Sequence, residues 1–361
     1  MSKSLIEKWL RPELLALNAY HVPDPGNMVK LDAMENPYGW PEGMIKEWQE
    51  LLAHIPVNRY PDPTSEQLTT QLRQTFQIED KLGILLGNGS DELIQMLAMA
   101  VAEQERVILS PQPGFVMYQL IATWTGMQYV GVPLQAGDFS LDMPAMLAAI
   151  KEYQPALIFL AYPNNPTGNL FERDQVDEII QCAPGLVIID EAYTAFTTDS
   201  YLSDVSRYHH VLVMRTVSKM GLAGLRLGYL VGASDLIDEL NKIRLPYNIN
   251  VLTQQTAQFA LQHQSVFDEQ TNLIVEQRTR LHESLSQIDA VQVYPSEANF
   301  ILFRVSDAAA VPLFEHIKSC GVLIKTLHAA GGVLTGCLRV TVGTAVENEK
   351  FIHAVRAFFE K

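Results

Sequence analysis

The chain has 361 residues, too many for one ordinary core and enough for a large domain with a smaller companion. It is 48% apolar and 19% charged, and its 26 basic against 41 acidic residues leave a formal net charge of −15. That balance excludes a general nucleic-acid binder, which needs a basic face, but leaves room for a small phosphorylated substrate held by a few arginines. The three cysteines, Cys182, Cys320 and Cys337, are widely spaced, give no metal-ligand pattern and suit a reducing compartment. The opening stretch has no continuous apolar segment of signal-peptide type, and no apolar run reaches the length of a membrane span, so a cytoplasmic protein is expected.

Residues 1 to about 40 are Pro-rich after a short amphipathic start and are expected to form an extended arm. "MIKEWQELLAHI" is expected to be a helix, then "NRYPDPT" a loop, then "SEQLTTQLRQTF" a second helix with Ser65 as N-cap. From about residue 82 strands and helices alternate. "LGILLG", "RVILSPQ", "QYVGVPL", "ALIFLAYP", "LVIIDEAY", "VLVMRTVS" and "LRLGYLVG" are predicted strands, four helices separating the first five. Runs this rich in Val, Ile and Leu fit a mostly parallel sheet covered on both faces. Met96 and Met99, at helical spacing, are expected in the core. After residue 235 the pattern is helical to about 288. The tail offers strands "FILFRV", "GVLIKTL" and "CLRVTVG" and a closing helix "NEKFIHAVRAFFEK". The expected fold class is α/β: a three-layer large domain over 45–255 with a mostly parallel sheet, and a smaller α+β domain over 256–361 joined by the 1–44 arm.

Ligands of open α/β sheets bind beyond the carboxyl ends of the strands, so the residues after each strand carry the functional reading. "GNGSDE" (87–92) opens a helix; it is either an anion cradle of backbone amides or a plain tight turn. In "PNNPTGN" (163–169), Asn165 precedes a proline and is either an amide donor into the cleft or part of a Pro-Gly turn. "TVSKMGLAGLRLG" (216–228) sets Lys219 among small and apolar residues, as either a solvated lysine or a desolvated, nucleophilic one. Thr216, Ser218 and Arg226 beside it suit a phosphate dianion. Asp190 and Glu191 end an apolar strand at the same sheet edge, with Glu191 expected to turn away into a cap or salt bridge. An amine, an acid and phosphate donors in one cleft are what pyridoxal phosphate requires.

"NNPTG", "DEAY" and "SKMGLAGLRLG", in this order, resemble fold-type I pyridoxal-phosphate aminotransferases, over nearly the whole chain. "MENPYG", "NRYPDP", "GNGSDE" and "CLRVTVG" narrow the resemblance to the histidinol-phosphate branch of that family. The resemblance implies that Lys219 forms a Schiff base with pyridoxal 5'-phosphate and then shuttles the substrate proton, while Asp190 pairs with the pyridinium. It implies that Tyr193 and Asn165 donate to the ring oxygen and that Phe115 stacks on the ring. The amides of Ser90 and Asp91, the Thr216 and Ser218 hydroxyls and Arg226 are implied to hold the phosphate. Tyr60 is implied to reach the cofactor phosphate of a partner subunit, making a homodimer. Arg339 is implied to bind the substrate's anionic group, with Tyr20, Lys325, Tyr60 and Asn165 also lining the substrate site. Two departures stand out: "KMGLAGLR" is one residue shorter than in many relatives, and Lys325 stands where many have arginine. The implied reaction is reversible amino transfer between L-histidinol phosphate and 2-oxoglutarate, giving imidazole-acetol phosphate and glutamate in histidine biosynthesis. The alternatives are a decarboxylase of a phosphorylated amino acid of threonine-phosphate type and an aromatic amino-acid aminotransferase. No metal, nucleic-acid or membrane partner is expected.

Overall fold

The computed structural model describes residues 3–19 and 22–360, so the expected substrate residue Tyr20 lies outside the described residues. The arm is less extended than its prolines suggest. It carries two short helices, α1 (Lys3–Trp9) and α2 (Pro12–Leu15), the second begun by a proline whose missing N–H costs a helix nothing at its first turn. A two-residue strand follows, β1 (Val29–Lys30). Helices α3 (Glu42–Ala53) and α4 (Glu66–Phe76) come next. Ser65 precedes α4 in a left-handed conformation (φ 51°), and its side chain does not cap the helix. Asp62 takes that role, its Oδ2 accepting from the Glu66 N–H at 3.0 Å.

The alternating segment folds as expected. Strands β2 (Leu82–Gly87), β3 (Val107–Gln112), β4 (Gln128–Pro133), β5 (Leu157–Ala161), β6 (Leu186–Asp190), β7 (Val211–Thr216) and β8 (Gly228–Ala233) form one sheet in the order β2-β8-β7-β6-β5-β3-β4. Only β8 runs antiparallel to its neighbours. Helices α5 (Ser90–Val101), α6 (Met117–Thr125), α7 (Met143–Tyr153), α8 (Arg173–Cys182) and α9 (Ser234–Asn241) accompany it. Alternate residues of each central strand enter separate cores: in β5, Ile158 and Leu160 pack in one cluster, Leu157 and Phe159 in the other. This two-sided burial explains why the strands read as unbroken apolar runs. Met96 is buried in the second cluster, but Met99 is exposed because the outer face of α5 turns past the core there.

Helix α10 (Val251–Gln262) packs on α4 and the large core. Helix α11 (Gln264–Ser286) begins with Phe267 in that core and ends with Leu281 and Leu285 in a third cluster. That cluster surrounds a four-stranded antiparallel sheet made from β9 (Gln292–Val293), β10 (Phe300–Arg304), β12 (Lys325–Thr326) and β13 (Cys337–Thr341), in the order β12-β13-β10-β9. Helices α12 (Asp307–Ser319) and α13 (Ala345–Phe359) pack on each other beside it, and Thr344 and Glu347 form a capping box at the start of α13. The expected single strand "GVLIKTL" is two. Its first part, β11 (Val322–Leu323), pairs in parallel with β1 of the arm, and β12 pairs with β13. The arm's extended stretch is thereby tied to the small sheet's side of the molecule. Among the described residues no helix is long and apolar enough to cross a membrane.

Candidate active site

Strand β6 ends in Asp190, buried at 4% exposure. Its Oδ2 accepts a hydrogen bond from the Tyr118 hydroxyl at 2.7 Å, and its Oδ1 accepts from the Ala192 N–H at 3.1 Å. Burial raises the carboxyl to a pKa of about 6, against the opposing pull of these two donors. The next residue faces elsewhere, as expected. Glu191 is fully buried and paired with Arg215, whose Nε and Nη2 lie 2.8 and 2.7 Å from its Oε2. The Tyr201 N–H and the Ser200 hydroxyl donate to the same carboxylate. The buried pair therefore anchors the chain just where Asp190 and Tyr193 must be aimed.

Lys219 lies in a wide helical turn over Ser218–Leu222. Gly221 allows that turn: its φ is 125°, and a Cβ there would come within 3.0 Å of Asn36 Nδ2. The amine of Lys219 donates to the Ala33 carbonyl at 3.4 Å and lies 5.8 Å from the centre of the Tyr193 ring. Desolvation lowers its pKa to about 8, helped by the positive field of Arg339. The contact with the Ala33 carbonyl and the lowered pKa favour the desolvated alternative over the solvated one.

From Tyr193 the site continues through hydrogen bonds. Asn165, just before a cis proline, donates its Nδ2–H to the Tyr193 hydroxyl at 3.1 Å and accepts from Arg339 Nη1 at 2.5 Å. Arg339 Nη2 donates to the Asp32 carbonyl at 3.1 Å, and the guanidinium lies 5.2 Å from the Phe300 ring centre. Burial and the neighbouring Asp190 drive the Tyr193 hydroxyl's pKa well up, with Arg339 opposing. Lys325 is the cross-strand partner of Arg339 in the β12–β13 pair, so both side chains leave the sheet on one face.

The phosphate cradle implied by "GNGSDE" is a turn at the N-terminus of α5. Gly89 has φ 85°, and a Cβ there would lie 2.6 Å from Arg226 Nη2. Arg226 forms a half-exposed ion pair with Asp91 at 3.2 Å. The Thr216 and Ser218 hydroxyls are 2.9 Å apart. Ser90, Asp91, Thr216, Ser218 and Arg226 thus gather around β2, β7 and β8, whose ends adjoin in the sheet. Phe115 is half-buried and meets Tyr118 edge-on at 5.6 Å. Tyr60 stands apart: it is 80% exposed and, among the described residues, stacks on Tyr247 with ring centres 4.5 Å apart. His328 accepts from the Gly336 N–H through Nδ1, which makes it a loop brace.

Several contacts here were not assigned from sequence. Tyr118 was read only as part of a helix, although its place three residues after Phe115 hinted at a shared face. Asp32, Ala33 and Asn36 come from the arm, and Asn36 Nδ2 donates to the Met220 carbonyl and to Gln270 Oε1. Nothing local in "LDAMEN" announces that role.

Residues 26–357 match the family described as aminotransferase class I and II. The chain belongs to that family. This aminotransferase is 53% identical over 357 residues to histidinol-phosphate aminotransferase 2 of Nitrosococcus oceani, covering 99% of both chains. It is 47% identical over 357 residues to the histidinol-phosphate aminotransferase of Chromobacterium violaceum, again covering 99% of each. Its fold is similar to the crystal structure of histidinol-phosphate aminotransferase from Sinorhizobium meliloti in complex with pyridoxal-5'-phosphate, with a TM-score of 0.86, 22% identity and 98% of each chain covered. The family is pyridoxal-phosphate dependent. The donor set of this aminotransferase fits that group: a desolvated amine, a buried acid, and a helix N-terminus with hydroxyls and an arginine packed close against Gly89.

Proposed function

We propose that the chain is a histidinol-phosphate aminotransferase that binds pyridoxal 5'-phosphate and works as a homodimer, with 45–255 as the cofactor-binding unit and 256–361 plus the arm as the substrate-closing unit. It moves an amino group between L-histidinol phosphate and 2-oxoglutarate, giving imidazole-acetol phosphate and glutamate. The observation that carries the reading is the Lys219 amine, its pKa lowered to about 8, next to a linked Tyr193–Asn165–Arg339 set.

Bound, pyridoxal phosphate supplies an aldehyde for the amino group and a protonated ring that withdraws electrons from the substrate carbon. Lys219 would hold the group through Nζ, and its amine would be the base that moves the proton of the substrate's amine-bearing carbon. Asp190 would pair with the ring nitrogen as a carboxylate, and its burial would strengthen that ion pair. Tyr193 and Asn165 would donate to the ring oxygen, and Phe115 would stack on the ring. The Ser90 and Asp91 amides, the Thr216 and Ser218 hydroxyls and Arg226 would bind the cofactor phosphate.

Arg339 and Lys325 receive the substrate's anion, a phosphate in one half-reaction and a carboxylate in the other. Arginine offers a planar fork suited to both; Lys325 adds charge without a fork. Tyr60 is free to reach a partner because little of its own chain covers it. The test is direct. Purified protein saturated with pyridoxal phosphate is mixed with L-histidinol phosphate, and the spectrum is followed from the aldehyde form to the amine form. Conversion in the wild type and none in Lys219→Ala, with the fold intact by circular dichroism, is expected. Conversion by the variant at the wild-type rate refutes the assignment.

A further inference from the structure

The reading above leaves one buried ionisable group next to Asp190 without a task. Tyr118 is 1% exposed, and its hydroxyl donates to Asp190 Oδ2 at 2.7 Å. Its ring is held in place from two sides. It stacks on Phe159 of β5, with centres 4.5 Å apart and planes 15° from parallel, and it meets Phe115 edge-on at 5.6 Å. One side chain on α6 therefore touches both the acid and the aromatic assigned to the cofactor ring. A phenol this deeply buried holds its proton firmly: burial and the adjacent Asp190 push its pKa well up. It acts as a fixed donor.

We propose that Tyr118 is a positioning residue of the aminotransferase reaction: its hydroxyl keeps Asp190 ionised and aimed, so that the proton shared with the cofactor stays on the ring nitrogen. The inference rests on the assignment of Asp190 to that nitrogen. An acid and a pyridine in contact share one proton, and the arrangement with the ring charged is the productive one because only a charged ring draws electrons strongly. A donor on the carboxylate stabilises its anion and so weakens its hold on the proton. The groups facing Asp190 are few. Tyr118 comes from α6, Asp91 from the start of α5, Glu191 and Tyr193 from the same strand end, and the Ala192 N–H is the second donor. Asp91 and Glu191 both favour the protonated acid, so the opposing pull comes from Tyr118 and Ala192.

The variant Tyr118→Phe removes the hydroxyl and keeps the ring that packs on Phe159 and Phe115. In full-length, cofactor-free protein labelled with 13C-aspartate, the carboxyl of Asp190 is followed by infrared titration, with Asp190→Asn identifying its band. The expected result is a titration midpoint about one unit higher in Tyr118→Phe. With 15N-labelled pyridoxal phosphate bound, the ring-nitrogen resonance moves toward its neutral position, and kcat falls about tenfold with little change in KM. A merely structural tyrosine moves neither the Asp190 midpoint nor the ring nitrogen. An unchanged midpoint overturns the proposal, even where the wild type binds cofactor and turns over. A wild type that fails to bind cofactor refutes the functional reading instead, while the cofactor-free titration still decides the role of Tyr118. Should Tyr118→Phe fold poorly, thermal midpoints of the wild type, both single variants and the double variant supply the answer. Full additivity of the two substitutions overturns the proposal; a double variant no less stable than Asp190→Asn upholds it.

Discussion

Replacing Arg215 by methionine tests the anchor beneath the active-site strand end. Methionine matches much of the arginine's apolar stem but has no charge. In the native protein Glu191 is fully buried, and Arg215 meets it with an Nε–H hydrogen bond at 2.8 Å and an Nη2 ion-pair contact at 2.7 Å. Without them the carboxylate keeps the Tyr201 N–H and the Ser200 hydroxyl, and that hydroxyl loses the hydrogen bond it accepts from Arg215 Nη2. Removing one member of a buried ion pair strands the other charge, at a cost of about 3–5 kcal/mol. We therefore expect Arg215→Met to lower the unfolding free energy by about 3–5 kcal/mol in urea titrations at pH 7.5, followed by tryptophan fluorescence. The double variant Arg215→Met/Glu191→Gln should lose less than the sum of the singles, because no charge is left without its partner. A penalty below about 1 kcal/mol would show that the pair is not the anchor described.

Three further outcomes follow from the site. Only a neutral amine captures an aldehyde, so capture of pyridoxal phosphate by the cofactor-free protein should rise about tenfold per pH unit below 8 and level off above it, since the folded Lys219 titrates near 8; a rate still climbing steeply between pH 9 and 10 would mean an ordinary lysine. Arg339→Ala removes the donor to both Asn165 and the substrate anion, and should raise KM for both histidinol phosphate and 2-oxoglutarate by about 10- to 150-fold, while Lys325→Ala should chiefly affect the phosphate substrate; an Arg339→Ala enzyme with unaltered KM values refutes the anion-clamp assignment. If Tyr60 serves the partner's site, mixing subunits of Tyr60→Ala and Lys219→Ala should regain about a quarter of wild-type activity, because half of the dimers are mixed and each carries one native site; no regain contradicts the shared site.

What the sequence determined by itself was the large sheet and which polar residues gather at its edge. Apolar strands buried on both faces leave a pattern that survives without tertiary knowledge, and ligands gather where such strands end, so Asp190, Asn165 and Lys219 could be found by reading past each run. The fate of Glu191 was legible too, since a carboxylate directly after a strand's last residue leaves on the side opposite to it while the chain stays extended. Helix caps were less so: Asp62 rather than Ser65 caps α4, because backbone conformation, not residue type alone, decides which oxygen reaches the free N–H groups. Met99 misled for a similar reason, as helical spacing does not say how far the core extends along a helix.

Only the tertiary structure decided which distant segments meet. The arm's "LDAMEN" brings Ala33 to the Lys219 amine and Asp32 to Arg339, joining residues 186 and 307 positions apart in the chain. The division of "GVLIKTL" into β11 and β12 has the same origin, because its first half finds a partner in the arm and its second in β13. The link from Tyr118 to Asp190 spans 72 positions and two elements. Local sequence records what a segment prefers to be. It does not record which hydroxyl a buried carboxylate will find, because that depends on how α6 packs on the sheet, and the packing is a property of the whole core.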